Sequence, residues 1–168
     1  MSEELPRAAA AVVTAGRSFG LELDVREFPE GTRTAADAAR AIGCQVDQIV
    51  KSLVFVADTE PVLVLTSGGN RVDVVKVGTL TGATLVRKAD AAEVRAATGY
   101  VIGGTPPFGH ATELEVLMDQ DLLAFDTVWA AAGTPQHVFP VDPKALVEVT
   151  GARVGDVALD PVGDEPAD

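Results

Sequence analysis

The segment Thr98–His110 combines residues that together could hold a reacting carbonyl group. It reads T-G-Y-V-I-G-G-T-P-P-F-G-H. Proline fixes φ and lacks a backbone donor, whereas Gly103, Gly104 and Gly109 can adopt φ values that other residues avoid, so a stiff loop with exposed amides is predicted. Pre-oriented amides of this kind can stabilise the oxygen of an ester carbonyl. The alternative is a plain connector between a helix and a strand, which Gly and Pro by themselves favour.

Lys51 is the side chain that could complete such a site. It opens the apolar run K-S-L-V-F-V-A (51–57), so packing should hold its aliphatic stem while the ammonium projects from the end of a strand. There it could meet a phosphate or a carboxylate. A lysine that merely lies along the sheet surface explains the same pattern, and beside the Gly/Pro loop the two readings are about equally supported.

The other reactive side chains favour structural roles. Cys44 follows Gly43 just past a predicted helix end, where the helix dipole disfavours a thiolate, so we interpret it as structural. His110 adjoins the loop and could assist proton transfer, although a packing or surface role suits it better. The chain has no G-x-S-x-G elbow, Walker loop or G-x-G-x-x-G motif, and two histidines and one cysteine do not favour a metal site. No metal or cofactor is predicted.

Composition narrows the class of protein further. A chain of 168 residues that is 47% hydrophobic fits one globular domain. A single cysteine suits a reducing cytoplasm, and no apolar run approaches the roughly 18 residues of a membrane span, so a cytoplasmic protein without a membrane partner is expected. The net charge of −12 argues against sequence-specific DNA binding or coating of nucleic acid. We expect one domain over 1–158 and a disordered acidic tail over 159–168.

Short helices and strands alternate in the pattern that must position these residues. Helices are predicted over 5–18, 35–42, 91–98 and 143–150, with N-caps at Thr34, Asp90 and Asp142. Strands are predicted over 22–28, 51–57, 61–66, 83–87, 113–118, 127–132, 138–141 and 154–159. Asp47 is predicted to cap a short turn, and 72–77 fits either a strand or a helix. The order predicts a single α+β domain with a mixed, mostly antiparallel sheet and a central hairpin.

Three segments in this order and spacing resemble the YbaK/prolyl-tRNA synthetase-associated domain family. They are Q-I-V-K-S-L-V-F (48–55), G-N-R-V-D (69–73) and G-Y-V-I-G-G-T-P-P-F-G (99–109). V-L-M-D (116–119), A-A-G (131–133) and D-P-K-A-L-V-E-V-T-G-A (142–152) fit the same family, so the resemblance covers roughly residues 20 to 158. It implies a barrel-like sheet flanked by short helices, and a helix over 72–77.

The resemblance also implies a function and a set of site residues. The family contains free-standing, trans-editing deacylases that hydrolyse the ester of mischarged aminoacyl-tRNA, here expected to carry a small amino acid or Cys on tRNA-Pro. Lys51 matches the family's essential lysine, Gly103 and Pro107 match its G-x-x-x-P motif, and Asp119 matches an acid after a strand. The residues placed around the substrate are Phe28, Thr34, Ser52, Gly104, Thr105, Phe108, Gly109 and His110. The expected partner is the acceptor end of aminoacyl-tRNA, with docking to a synthetase left open.

Ester hydrolysis agrees with what the chain contains. It needs a bound water, donors for the oxyanion and a grip on the terminal nucleotide, but no protein nucleophile. We expect loop amides to hold the carbonyl, Lys51 to orient the phosphate or terminal ribose, and the vicinal hydroxyl of the tRNA to help activate water. The alternative is a non-catalytic module of the same fold that binds a small molecule, a nucleotide or a protein. A nucleic-acid regulator is least supported, because thirteen Lys and Arg residues are scattered along the chain.

Overall fold

The protein forms one α+β domain, seen in a computed structural model that describes residues 4–32 and 34–160. Within these residues the helices are α1 (Arg7–Ser18), α2 (Ala35–Ile42), α3 (Val74–Thr81), α4 (Ala91–Thr98) and α5 (Pro143–Thr150). The strands are β1 (Arg26–Glu27), β2 (Val50–Ala57), β3 (Glu60–Ser67), β4 (Val86–Lys88), β5 (Glu115–Asp119), β6 (Val128–Ala131), β7 (His137–Val141) and β8 (Arg153–Gly155). Short 3-10 turns cover Val46–Gln48 and Gln120–Ala124.

The strands form two sheets. A five-stranded sheet has the order β4-β2-β3-β5-β8, and a three-stranded sheet has the order β1-β7-β6. The β3–β5 and β5–β8 pairs are parallel and the other pairs are antiparallel. The predicted mixed, mostly antiparallel α+β fold is therefore confirmed. Among the described residues the two sheets do not join into a closed barrel, so the barrel-like description needs this small correction.

The β2–β3 hairpin lies at the centre of the larger sheet, as the sequence predicted. Its turn is only Asp58-Thr59, and Asp58 takes a positive φ of 56°. Turns of two residues with φ above zero match the right-handed twist of the flanking strands. Alternate residues of β3 enter different apolar clusters, with Leu63 and Leu65 facing Phe139 and with Val62 and Val64 facing the opposite side. Because both faces of these strands are buried, their sequences are almost continuously apolar and do not alternate between apolar and polar residues.

Caps fix the helix boundaries close to their predicted positions. The side chains of Thr34, Asp90 and Asp142 accept hydrogen bonds from backbone amides in the first turns of α2, α4 and α5. The uncertain segment 72–77 becomes the start of α3, because Asp73 caps it by accepting from the amides of Val75 and Lys76. The capping hydrogen bonds therefore outweigh the strand preference of the valines.

Three local predictions were wrong in detail. The turn near residue 47 has Gln45 at its N-cap, where the Gln45 amide donates to the Gln48 side-chain oxygen, while Asp47 lies inside the turn. The strand expected over 22–28 pairs with β7 only at Arg26 and Glu27. The last strand ends at Gly155, after which Ala158 forms an isolated bridge to Val72.

The end of the described chain is tied to α3 by Lys76. Its ammonium donates to the carboxylates of Asp156 and Asp160 and to the Ala158 carbonyl, at distances of 2.6 to 2.8 Å. The rest of the predicted acidic tail, 161–168, lies outside the described residues. No helix in 4–32 or 34–160 combines the length and apolar character needed to cross a membrane.

Candidate active site

A cavity of about 390 Å³ is lined by residues of both sheets. Its walls come from α2, from the first half of β2, and from the ends of β4 and β6. Small side chains contribute much of the lining, including Ala35, Ala38 and Ala131. The described lining residues are Thr32, Thr34, Ala35, Ala38, Ile49, Val50, Lys51, Ser52, Leu53, Val54, Gly68, Lys88, Ala89, Val94, Ile102, Gly103, Thr105, Trp129, Ala131 and Val138.

Two cations and no carboxylate line this cavity among the described residues. The cations are Lys51 at the start of β2 and Lys88 at the end of β4. A cavity with this charge pattern is suited to a ligand that carries a phosphate and an uncharged apolar group. In the described part of the chain, no group of three or more His, Cys, Asp and Glu residues could hold a metal ion.

Lys51 is held by a polar network that starts at Asn70. The Lys51 ammonium donates to the Asn70 backbone carbonyl at 2.5 Å. The Asn70 side-chain amide in turn donates to the carboxylates of Asp119 and Asp121, both at 2.8 Å. Asp119 is 1% exposed and also accepts from the amides of Ser67 and Asp121. The buried carboxylate of Asp119 therefore positions the loop that fixes the lysine.

The surroundings of Lys51 lower the pKa of its ammonium below that of an ordinary lysine. Partial burial is the largest cause, and the nearby charges of Arg71 and Lys88 act in the same direction. The carboxylate of Asp119 opposes them. Because burial and the neighbouring cations outweigh the Asp119 carboxylate, the charged form of Lys51 is disfavoured, and an anionic ligand in the cavity would relieve this penalty.

The predicted loop 98–110 contributes to the cavity through Ile102, Gly103 and Thr105 among the described residues. Gly103 takes a φ of 87° and, with Thr105 and Ile102, forms part of the wall. The Thr105 hydroxyl donates to the Val101 carbonyl at 3.0 Å, and the Gly104 amide donates to the same carbonyl. For the amides of Gly103 and Thr105, by contrast, no acceptor occurs within 4–32 or 34–160. Within the described residues these two amides are not engaged, which makes them the loop's candidate donors to a ligand oxygen.

Gly104 lies between two lining residues of the cavity and is packed against the protein. A Cβ added to Gly104 would lie 2.8 Å from the Thr134 Cα and 2.9 Å from the Gly133 carbonyl oxygen, so only glycine fits. Gly133 has an equally close approach to the backbone of Ala8 in α1. Backbone contacts thus stack α1, the A-A-G segment and the loop on one another.

Phe108 and His110 hold the end of the loop. The Phe108 ring is 3% exposed and packs against Phe19 and Phe139, with ring centroids 5.8 Å apart in both pairs. The His110 ring makes a 2.7 Å hydrogen bond from Nε2 to the Pro106 carbonyl. Burial lowers the pKa of His110, and the bond to Pro106 opposes that shift.

The structure brings five of the predicted site residues together at the cavity. They are Thr34, Lys51, Ser52, Gly103 and Thr105. The Ser52 hydroxyl itself is buried, with no hydrogen-bond partner in the described part of the chain. Six others lie outside the described lining, and their binding or catalytic roles stay predictions: Phe28, Gly104, Pro107, Phe108, Gly109 and His110.

Sequence reasoning missed several residues that the fold brings to the site. Thr32 reaches the cavity because its amide and hydroxyl both bond the Pro135 carbonyl. Trp129, the one tryptophan of the chain, also lines the cavity, and its ring centroid lies 5.0 Å from the Arg26 guanidinium carbon. Asn70 was part of a recognised segment, yet its role as a junction between Lys51 and Asp119 depends on contacts about 50 residues apart in sequence.

Comparison with known proteins identifies the family of this fold. The model of the aminoacyl-tRNA editing domain matches residues 29–149. The uncharacterized protein YwhH of Bacillus subtilis strain 168 is 34% identical over 133 residues, which are 79% of this chain and 85% of that protein. The candidate Cys-tRNA(Pro)/Cys-tRNA(Cys) deacylase EbsC of Enterococcus faecalis is 23% identical over 131 residues, 77% of this chain and 80% of that protein.

A solved structure is similar along nearly the whole fold. It is a candidate trans-editing enzyme for prolyl-tRNA synthetase, and it superimposes with a TM-score of 0.88 at 46% identity. The match covers 94% of this chain and 100% of that one. The cavity and its lysine therefore lie in a fold shared along its full length with editing proteins, and this chain belongs to the aminoacyl-tRNA editing domain family.

Proposed function

We propose that this protein is a trans-editing deacylase that hydrolyses the ester bond of mischarged aminoacyl-tRNA. The observation that carries the proposal is the cavity, whose described lining joins apolar side chains, Lys51, and the loop residues Gly103 and Thr105, whose amides have no acceptor among the described residues. An apolar wall suits an amino-acid side chain, the lysine suits a phosphate, and the amides suit an ester oxygen.

The lining supports a small, uncharged amino acid as the group that is removed. Alanines form part of the wall, and no carboxylate among the described lining residues could pair with a cationic side chain. The relatives point to tRNA-Pro as the tRNA body and to Cys or a similarly small residue as the amino acid. A size filter of this kind separates side chains that differ by one methylene by only about 10- to 200-fold.

The proposed reaction uses water as the nucleophile. Water attacks the ester carbonyl, the carbonyl oxygen gains negative charge beside the amides of Gly103 and Thr105, and the bond to the ribose oxygen then breaks. The vicinal ribose hydroxyl assists by accepting or relaying the proton of the water, and the leaving ribose oxygen takes up a proton. The products are a free amino acid and a tRNA with both terminal hydroxyls restored.

Lys51 has a binding role in this scheme. Its ammonium contacts the terminal phosphate or ribose, and the network through Asn70 and Asp119 keeps it at the mouth of the cavity. The similarity to a trans-editing enzyme for prolyl-tRNA synthetase supports a second partner, a synthetase that delivers the mischarged tRNA.

The test is a deacylation assay on a panel of aminoacyl-tRNAs. The panel contains alanyl-, cysteinyl- and seryl-esters on tRNA-Pro and on their cognate tRNAs, and each is followed with the wild type and with Lys51→Ala. We expect turnover of at least one small aminoacyl ester, and a loss of about 100-fold or more in the variant. Lack of turnover on every member would contradict the proposal and favour a non-catalytic binding module of this fold.

A further inference from the structure

One edge of β2 is left open at the cavity. Strand β3 pairs with β2 along its whole length, from Val50 to Ala57. On the other edge, β4 pairs only with Phe55–Ala57, and the Ala89 amide donates to the Val54 carbonyl. At the start of the strand, Ile49 forms a bridge to Trp129 of β6. Between these two points no strand in 4–32 or 34–160 pairs with the outer edge of β2.

The main chain of Ser52 points out of this open edge. In an antiparallel pair, alternate residues direct both their N–H and C=O groups at the partner strand, and the residues between them direct theirs away. The Val54 carbonyl bonds Ala89 and therefore points away from β3. Ser52 lies two residues earlier in the same strand, so its N–H and C=O groups point the same way, and Ser52 lines the cavity.

An aminoacyl group matches the pair of groups that Ser52 presents. In a hydrogen-bonded antiparallel pair, two facing residues form two N–H···O bonds. Each residue donates its own N–H and accepts with its own C=O, and these two groups flank a single Cα. An amino acid esterified to a ribose keeps the same arrangement, with an ammonium donor and a carbonyl acceptor attached to one carbon. Extended peptides bind open sheet edges through this exchange.

The charges of the cavity strengthen the match. The α-ammonium of an aminoacyl ester needs an acceptor, yet the charged groups among the described lining residues are the cations Lys51 and Lys88. A main-chain carbonyl can accept a hydrogen bond from the α-ammonium. Unlike a carboxylate, it carries no net charge and so does not also attract amino acids with cationic side chains.

We infer that the open edge of β2 at Ser52 is the subsite for the main-chain atoms of the aminoacyl group. The Ser52 carbonyl accepts from the α-ammonium, and the Ser52 amide donates to the ester carbonyl as a further oxyanion donor beside the loop amides. The inference rests on the proposed function, and it assigns the recognition of the α-amino group, which the lysine and the loop leave unassigned.

The experiment uses a stable analogue in which the ester oxygen is replaced by nitrogen. 3′-Alanylamino-3′-deoxyadenosine and the matching propionylamino compound, which lacks only the amino group, are titrated into the ¹⁵N-labelled full chain. We expect the Ser52 amide resonance to move downfield with the alanyl compound, and the propionyl compound to bind about 10-fold or more weakly. An unmoved Ser52 amide, equal affinities or no binding of the alanyl compound would overturn the inference.

A pair of variants isolates the Ser52 amide. Ser52→Ala keeps the amide and removes the hydroxyl, whereas Ser52→Pro also removes the N–H, which the larger sheet does not use. We expect the proline variant to bind the alanyl compound about 10- to 100-fold more weakly than the alanine variant. Equal binding by the two folded variants would refute an amide contact. If the proline variant does not fold, the movement of the wild-type Ser52 amide resonance on binding the alanyl compound still tests the amide contact.

Turnover of the ester substrates by the wild type is measured separately and tests the proposed function. If the protein deacylates aminoacyl-tRNA but the Ser52 amide resonance does not move with the analogue, the proposed function is supported and the subsite at Ser52 is refuted. If the alanyl compound binds at Ser52 but no ester is hydrolysed, the subsite is supported and the proposed function is refuted.

Discussion

The lysine end of the cavity and the Gly/Pro loop differ in how they are stabilised. Lys51 is held by hydrogen bonds through Asn70 to Asp119. The loop is held by close backbone packing, with Gly104 against Gly133 and Phe108 between two other phenylalanines. A polar network orients one charged atom, whereas packing fixes the shape of a wall. Changes at the lysine end should therefore affect activity, and changes in the loop should first affect folding.

The largest expected effect is at Lys51. We expect Lys51→Met to lose about 100-fold or more of kcat/KM, and not to be less stable than the wild type at pH 7, because the apolar side chain removes a partly buried charge.

The stability of this variant also has a predictable pH dependence. The folded state lowers the pKa of Lys51. At pH values between this lowered pKa and the ordinary pKa of lysine, the side chain is therefore protonated more fully in the unfolded chain than in the folded protein. The wild type should therefore gain stability relative to Lys51→Met as the pH rises through this window. Thermal melts of both proteins from pH 7 to 10 measure the gap, and a gap that moves in the opposite direction would contradict the lowered pKa.

The second effect is at Gly104. A methyl group there would meet the backbone of Gly133 and Thr134 at under 3 Å, so Gly104→Ala should cost about 1–3 kcal/mol of unfolding free energy. Gly155→Ala is the matched control, because its methyl would meet only the Leu80 side chain, at 3.3 Å. Denaturant unfolding compares the two variants. Equal stabilities would mean that the loop is less tightly packed than the structure indicates.

The third effect is at Asn70. Asn70→Asp places a carboxylate beside those of Asp119 and Asp121 and removes two donated hydrogen bonds. We expect kcat/KM to fall by about 10-fold, with a smaller fall in Asn70→Ala, which removes the donors without adding charge. Steady-state kinetics with a titration of the Lys51 amine by NMR distinguishes the two variants. The carboxylate added by Asn70→Asp lies close to the Lys51 ammonium and should raise the Lys51 pKa, whereas Asn70→Ala adds no charge. An unchanged Lys51 pKa in Asn70→Asp would separate Asn70 from the lysine.

The smallest effect is at His110. Because the folded state lowers the pKa of His110, its contribution to stability is present above about pH 6.5 and is lost as the pH falls through the lowered value. The wild type should therefore lose more stability between pH 7 and 5 than His110→Asn, by less than about 1 kcal/mol. Melting temperatures at the two pH values measure the difference, and a steeper loss in the variant would show that the histidine is stabilised when charged.

Local chemistry explains which parts of the fold could be predicted from the sequence. The caps at Thr34, Asp90 and Asp142 and the turn at Asp58-Thr59 depend on neighbouring residues, so their patterns were visible. Lys51 and Gly103 were recognisable as parts of short motifs.

The missing parts depend on distant segments. Thr32 enters the site through a bond to Pro135, and the close approach of Gly104 involves residues 133 and 134. Alternation over 22–28 indicated which side chains are half-buried, but the length of β1 depends on where β7 runs. Contacts across such sequence distances leave no periodic signal, and they decide which loop residues face the cavity and which support it.

The alanines of the cavity wall suggest how its selectivity can change over evolutionary time. Ala35 and Ala38 belong to α2 and Ala131 belongs to β6, while Lys51 and the open edge of β2 lie on a different element. A single substitution to Ser, Val or Leu at one of these alanines would reshape the space for the amino acid and leave the reacting groups in place. If the proposed function holds, members of such a lineage could diverge in the amino acid that they remove by exchanging a few methyl groups, while Lys51 and the loop stay the same.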